Sequence, residues 1–259
     1  MIAFFTALNN NFMPGMKALL KSLLVNNPWF NYDYIILIDE DISFENKKEL
    51  LKLYKNIKFI NAKIKDYKNC KKTSVNWNFN LFYRFDVFEL QDLDYDKIVM
   101  IDSDMIILKD IKELLEYNND ISVCKKYPNF MPELKDIKGN FFNCGLISLS
   151  RNIINLNHKK NLLEIASQKN WSSDQPILNF YFRDKITFIP QKFNVVTSNV
   201  TLKNLNEISI LHFHGNKKPW MSDNILECFE PFVSNLITKA GEDSNEIMTR
   251  IKKIYEYYR

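Results

Sequence analysis

The residues Lys97-Ile98-Val99-Met100-Ile101 run without a break into Asp102-Ser103-Asp104. A short apolar run rich in β-branched side chains reads as a strand buried on both faces. Such strands belong to open α/β sheets, in which ligands sit beyond the carboxyl ends. Here that end carries two carboxylates spaced two residues apart. Hard divalent cations take oxygen ligands and bridge carboxylates to substrate phosphates. A D-x-D triplet by itself also describes a solvated pair of loop carboxylates. Its place directly after the strand favours the functional reading.

The rest of the chain alternates in the same manner. Ile2 to Leu8 reads as a central strand, and Pro14 opens a helix that Asn26, Asn27 and Pro28 stop. Tyr34 to Ile38 and Lys58 to Ile60 are further strands, separated by a helix that Ser43 can cap. Helices are expected over Asn78 to Leu90 and Asn161 to Gln168, and strands over Phe142 to Leu149, Ile186 to Ile189 and Ile208 to Phe213. The pattern predicts an α/β fold with a Rossmann-like nucleotide-binding half and a mostly parallel central sheet. One catalytic domain over residues 1–222 is expected, followed by a helical tail over residues 223–259.

Composition removes several function classes. A net charge of +4 without a concentrated basic stripe argues against nucleic acid as a partner and allows an anionic substrate. Cys70, Cys124, Cys144 and Cys228 lack the spacing of a zinc site or redox pair and read as free thiols of a reducing cytoplasm. The opening MIAFFTALNN reads as a strand, without the basic start or cleavage site of a signal peptide. No apolar run reaches the roughly 18–20 residues of a membrane span, so any membrane contact of this protein, expected in the cytoplasm, would be peripheral. In the tail, Ser244 can cap a final helix with Ile247, Met248, Ile251, Ile254, Tyr255 and Tyr258 on one face and Arg250, Lys252 and Lys253 around it. That helix either packs on the protein or makes peripheral contact with an anionic membrane.

A second constellation is Leu211-His212-Phe213-His214-Gly215-Asn216-Lys217-Lys218-Pro219-Trp220. A neutral imidazole can complete a metal shell, a glycine lets the backbone approach a ligand, and a lysine is a point charge for phosphate. A strand-end D-x-D followed over 100 residues later by H-x-x-G-x-x-K-P-W resembles the family-8 retaining glycosyltransferases of the GT-A fold. These include the glycogenin-like and the bacterial lipopolysaccharide galactosyl- and glucosyltransferases. Three further segments fit the resemblance: Thr6-Ala7-Leu8-Asn9 with Phe12, Phe142-Asn143-Cys144-Gly145-Leu146, and Asp174-Gln175 with Asn179. Arg84 stands where the family has a basic residue before the D-x-D strand. The likeness spans roughly residues 1 to 221.

The resemblance implies transfer of a hexose, glucose or galactose foremost, from a UDP-sugar donor to a glycan or glycolipid acceptor, with retention of configuration. It points to bacterial cell-surface polysaccharide or lipooligosaccharide synthesis. It implies Mn²⁺, or Mg²⁺, held by Asp102, Asp104 and His212. The donor would lie against Thr6, Ala7, Leu8, Asn9, Phe12, Arg84, Asp102, Ser103, Asn143, Gly145, Gly215 and Lys218, with Asp174 and Gln175 nearest the anomeric carbon. A nucleotide-sugar hydrolase and a UDP-sugar-binding pseudoenzyme are the competing readings. The chain departs from the family at Phe12, where a tyrosine is usual, at His214, usually apolar, and at Lys125 and Lys126, where some relatives carry an acidic sugar contact.

Overall fold

The computed structural model describes residues 1–39, 42–72, 82–126, 131–215, 218–221 and 243–259. The chain divides into two compact units, Met1–Asn10 with Asn31–Asp102 and Glu116–Pro190, and Asn11–Phe30 with Ser103–Leu115 and Gln191–Arg259.

In chain order the strands are β1 (Ile2–Leu8), β2 (Asp33–Ile38), β3 (Ile57–Asn61), β4 (Lys97–Ile101), β5 (Met105–Ile107), β6 (Ile121–Lys125), β7 (Phe142–Ser150), β8 (Ile186–Phe188), β9 (Val195–Val196) and β10 (Ile210–His212). The α-helices are α1 (Met13–Asn26), α2 (Phe44–Leu53), α3 (Leu156–Gln168), α4 (Asp174–Phe182), α5 (Leu202–Leu205) and α6 (Asp243–Tyr258).

The first unit is built on a seven-stranded sheet of order β3-β2-β1-β4-β7-β6-β8. The pairs β3·β2, β2·β1, β1·β4 and β6·β8 are parallel, and only β7 runs antiparallel to its neighbours β4 and β6. The mostly parallel sheet is therefore as expected. All five residues of β4 are buried, as an apolar run covered on both faces demands. One core cluster unites Phe5, Ile35, Met100 and Ile147 from the sheet with Leu162 and Ala166 of α3 and Ile177 and Phe182 of α4. Ser43 caps α2 by accepting the N–H of Asn46 at 3.2 Å, as its position predicted. Helix α3 starts earlier than expected because Asn155 caps it, accepting the N–H of Asn157 at 2.8 Å.

The helix expected over Asn78 to Leu90 is different. Asn78 to Leu81 lie outside the described residues. The segment Tyr83–Asp92 is a 3-10 helix of ten residues rather than an α-helix. Such helices seldom exceed three or four residues, so something must hold this one.

The second unit carries the small sheet β5-β10-β9, with β10 antiparallel to β5 and parallel to β9. Helix α1 opens with proline in its first turn, as expected. Its Ala18 joins Ile106, Leu211 and Phe213 in a core with Ile247, Met248, Ile251 and Tyr255 of α6. This corrects the membrane reading of the tail. The apolar face that would enter a lipid surface is buried in protein, and Arg250 and Lys252 pair along the helix with Glu246 and Glu256. The side chain of Ser244, the expected cap, lies outside the described residues. Among the described residues no helix is long and apolar enough to cross a membrane.

Candidate active site

In the first unit the chemistry gathers on Arg84. Its Nη2 donates to Asp102 Oδ1 at 2.8 Å and its Nη1 to the carbonyl of Cys144 at 2.7 Å. Its Nε stands 2.8 Å from Asp174 Oδ2, close enough for an ion pair but without hydrogen-bond alignment, so that buried oxygen has no hydrogen-bond partner. One guanidinium thus links the end of β4, the bend of β7 and the first turn of α4. Asp102 keeps 29% of its side chain exposed and Asp174 only 5%. Burial raises the Asp174 carboxyl, Arg84 pulls it down and the Asp102 charge pushes it up, leaving it raised to about 6. Burial works against the Arg84 charge, but Asp102 and Asp174 outweigh it and raise its pKa above the usual range.

The backbone around these groups is tightly held. Asp102 N–H donates to the carbonyl of Gly145 at 2.9 Å, and Gly145 N–H donates to Asn143 Oδ1 at 2.9 Å. Ser173 caps α4, accepting the N–H of Gln175 at 3.3 Å, and Asp174 follows it in the first turn. Gln175 Oε1 accepts the N–H of Cys144 at 3.0 Å. The side chain of Thr6 is spent inside the sheet, donating to the carbonyl of Ile101 at 2.7 Å beside Tyr34. Ala7 and Leu8 end β1, and Asn9 comes next with a buried Oδ1 that lacks a hydrogen-bond partner.

In the second unit the chemistry gathers on Asp104. His212 Nε2 stands 3.4 Å from Asp104 Oδ1, and His212 Nδ1 is 3.0 Å from Asn194 Oδ1. An amide oxygen can only accept, so the ring donates from Nδ1 to Asn194 and turns its Nε2 towards Asp104. Asp104 Oδ1 is buried without a hydrogen-bond partner. The other oxygen, Oδ2, receives Lys218, which also donates to the carbonyl of Phe213 at 2.8 Å. Burial opposes ionisation of Asp104, but Lys218 and His212 outweigh it and hold the carboxyl far below its usual range. An orphaned carboxylate oxygen facing an imidazole nitrogen has the ligand types that suit a divalent cation.

Around this pair, Lys218 lies 5.8 Å over the Phe12 ring, and Phe12 meets Trp220 edge-on at 5.7 Å. Gly215 has φ of 110°, the region that favours glycine. Ser103 is buried, and its carbonyl would lie 2.6 Å from a Cβ added to Gly15, with Trp220 2.4 Å away on the other side. Asn216 and Lys217 of the same motif lie outside the described residues.

The family described as Glycosyl transferase family 8 matches residues 3–224. The chain belongs to that family. This family-8 glycosyltransferase is 24% identical over 236 residues to a lipopolysaccharide 1,2-glucosyltransferase of Escherichia coli K12, covering 81% of this chain and 70% of the relative. It is 24% identical to the glycosyltransferase GlyF of Streptococcus pneumoniae, with 85% of this chain and 57% of the relative covered. Among solved structures, the galactosyltransferase LgtC in complex with donor and acceptor sugar analogs matches with a TM-score of 0.69 at 17% identity, covering 95% of this chain and 100% of that one. An active-site variant of LgtC matches with a TM-score of 0.71. The GT-A fold is shown by these structures, and the family supports a hexosyltransferase.

The family match spans both constellations. Sequence reasoning missed Gly15 and Asn194. Gly15 carries no positive φ and stands within a helix, so only the contacts that a Cβ would make reveal it. Asn194 lies 18 residues from His212 in a stretch with no motif.

Proposed function

We propose that this family-8 enzyme transfers a hexose, glucose or galactose, from a UDP-sugar to a glycan or glycolipid acceptor with retention of configuration, in bacterial cell-surface polysaccharide or lipooligosaccharide synthesis. The buried Asp104 Oδ1, unpartnered and faced by His212 Nε2, is the observation that carries this reading, because a cation there gives a diphosphate its counter-charge. Asp102, two residues upstream in the chain, completes the ligand set. Manganese or magnesium bound there would supply Lewis-acid stabilisation of the departing diphosphate.

The chain's own residues would divide the remaining work. Lys218, paired with Asp104, would bind the diphosphate. Gly215 gives the backbone room to approach it. Asn9 offers a buried oxygen to the nucleoside, with Thr6, Ala7 and Leu8 shaping the strand end and Phe12 a stacking face. Arg84, Asn143 and Gly145 would line the donor, and Asp174 would accept sugar hydroxyls. Gln175, its Oε1 accepting the Cys144 N–H, would lie near the anomeric carbon beside Asp174, with its amide N–H groups placed to donate to oxygens of the sugar or acceptor.

The catalytic region would coincide with residues 1–222, and α6 would be a structural addition beyond the family match. The free thiols Cys70, Cys124 and Cys144 suit a reducing compartment, and we place the enzyme in the cytoplasm.

A donor screen tests the reading. UDP-glucose, UDP-galactose and other nucleotide-sugars are offered with Mn²⁺, with and without glycan acceptors. Acceptor-dependent, chelator-sensitive product with retained configuration is expected. Metal-dependent hydrolysis that no acceptor enhances would favour a hydrolase, and binding without turnover a pseudoenzyme.

A further inference from the structure

The 3-10 helix Tyr83–Asp92 is unusually long, and it carries Arg84 near its start. In a winding of three residues per turn, positions three apart stack on one ridge. Asp86 and Glu89 form that ridge, and both grip the same ammonium. Lys159 Nζ of α3 lies 2.7 Å from Asp86 Oδ1 and 2.5 Å from Glu89 Oε1. It also lies 2.6 Å from Asp66 Oδ2, on the 3-10 helix Ile64–Tyr67. The Lys159 side chain is only 2% exposed. Asp86 Oδ1 further accepts the Tyr67 hydroxyl at 2.5 Å, its Oδ2 accepts the N–H of Lys63 at 2.9 Å, and Lys63 pairs with Glu89. Burial works against the Lys159 charge, but the hydrogen bonds it donates to its three carboxylates outweigh it and raise its pKa.

Asp66, Asp86 and Glu89 have the composition of a metal site, but the Lys159 ammonium fills their centre. A lysine withdrawn from water among carboxylates has no part in the chemistry proposed above, so its role must act through what it holds. A relaxation of this segment to α-helical winding would rotate Arg84 by about 40° relative to Asp86, from 120° to 100° per residue over two residues, and move it about 1 Å along the axis. Arg84 meets Asp102, Asp174 and the Cys144 carbonyl within 2.8 Å, a fit that such a shift would break.

We propose that Lys159 is a positioning residue: by clamping Asp86 and Glu89 on one ridge it fixes the 3-10 winding that aims Arg84 at Asp102 and Asp174. The proposal rests on the reading of Arg84 as a donor-site group, and it extends the functional apparatus to a residue outside every family motif of the sequence. Misplacement of a binding group by about 1 Å costs on the order of a hundredfold in rate. Lys159→Met should therefore lower turnover by about ten- to a hundredfold.

The test combines turnover of UDP-glucose and UDP-galactose with an NMR signature of the Arg84 Nε–H, identified by its loss in Arg84→Ala. Lys159→Met is expected to shift or broaden that signal, lower turnover without weakening UDP binding, and add nothing when combined with Arg84→Ala. Glu89→Gln, which leaves the other two contacts intact, should give the same effects in milder form should Lys159→Met fail to fold, and Lys159→Arg should restore most of the activity. An unchanged Arg84 signal in folded Lys159→Met or Glu89→Gln overturns the proposal, as do effects that multiply with those of Arg84→Ala. If Arg84→Ala keeps full turnover, the donor-site reading of Arg84 falls, and the NMR signal still decides whether Lys159 positions it.

Discussion

Arg84 Nε stands 2.8 Å from Asp174 Oδ2, yet the Asp174 carboxyl holds its proton up to about 6. Burial costs the ionised form more than the shared guanidinium returns, since Arg84 also serves Asp102. A carboxyl whose pKa is raised on folding favours the fold below its unfolded value and loses that contribution as pH rises through its folded value. Asp174 is therefore a neutral presence below about pH 4 and a destabilising one above about pH 6. Asp174→Asn should stabilise the protein at pH 8, on the order of 1–3 kcal/mol, with the gain vanishing near pH 4. Thermal melts of both proteins across that range check the sign. The same variant should lose turnover at pH 8 while keeping its affinity for UDP, which carries no sugar.

Asp104 behaves in the opposite sense. Its pKa is depressed by Lys218 and His212 against the cost of burial, so its contribution to stability is present above the unfolded value and is lost as pH falls through the folded one. Asp104→Asn should lower Mn²⁺-supported UDP binding and turnover together, because the group facing His212 becomes a poor metal ligand. Calorimetric titration of UDP with and without Mn²⁺ reads this directly. UDP affinity in Asp104→Asn that still rises with Mn²⁺ as in the wild type would remove Asp104 from the ligand set. Lys218→Ala should weaken UDP as well as UDP-sugar, since both carry the diphosphate, in contrast to Asp174→Asn.

The strand β4 and its carboxylates were readable because a buried strand leaves a local signature, a run of apolar residues that ends abruptly in charge. His212 and Lys218 were readable because strand end, glycine and lysine stand together in one short segment. The clamp on the Arg84 helix was not. Lys159 looks like any lysine of an amphipathic helix, and its partners Glu89 and Asp66 lie 70 and 93 residues away. Nor was the 3-10 winding legible, since Tyr83, Phe85, Val87, Phe88 and Leu90 satisfy helical and tighter periods alike. The strands Met105–Ile107 and Val195–Val196 are too short for any period to declare itself and exist because β10 pairs with both.

Asn179 gives the most direct stability prediction. Its Oδ1 accepts the N–H of Phe142 at 2.8 Å, and its Nδ2 donates to the Phe142 carbonyl at 3.0 Å and to the Gln175 carbonyl at 2.9 Å. The amide thus stands in for a neighbouring strand at the start of β7 and is buried there. Asn179→Leu fills similar space and orphans these backbone groups, at about 1–3 kcal/mol for each one left unsatisfied. A loss of several kcal/mol in urea unfolding is expected, and one below about 1 kcal/mol would show that water replaces the amide.

The C-terminal helix is the last case, because its two faces predict different outcomes. Ile251 is buried against the core that holds Ala18, Leu211 and Phe213, whereas Lys253 is exposed. Ile251→Ala should cost about 2–5 kcal/mol, the range for deleting most of a buried aliphatic side chain. Lys253→Glu should stay within about 0.5 kcal/mol, as surface substitutions do. The Tyr258 hydroxyl accepts Asn26 Nδ2 at 2.7 Å and Lys21 donates to the Arg259 carbonyl at 2.9 Å, so the helix is tied to α1 to its last residue. Deleting residues 243–259 should accordingly lower the melting temperature far more than Lys253→Glu does. Differential scanning calorimetry of the three variants decides it, and a truncated protein that melts with the intact one would refute the packing role.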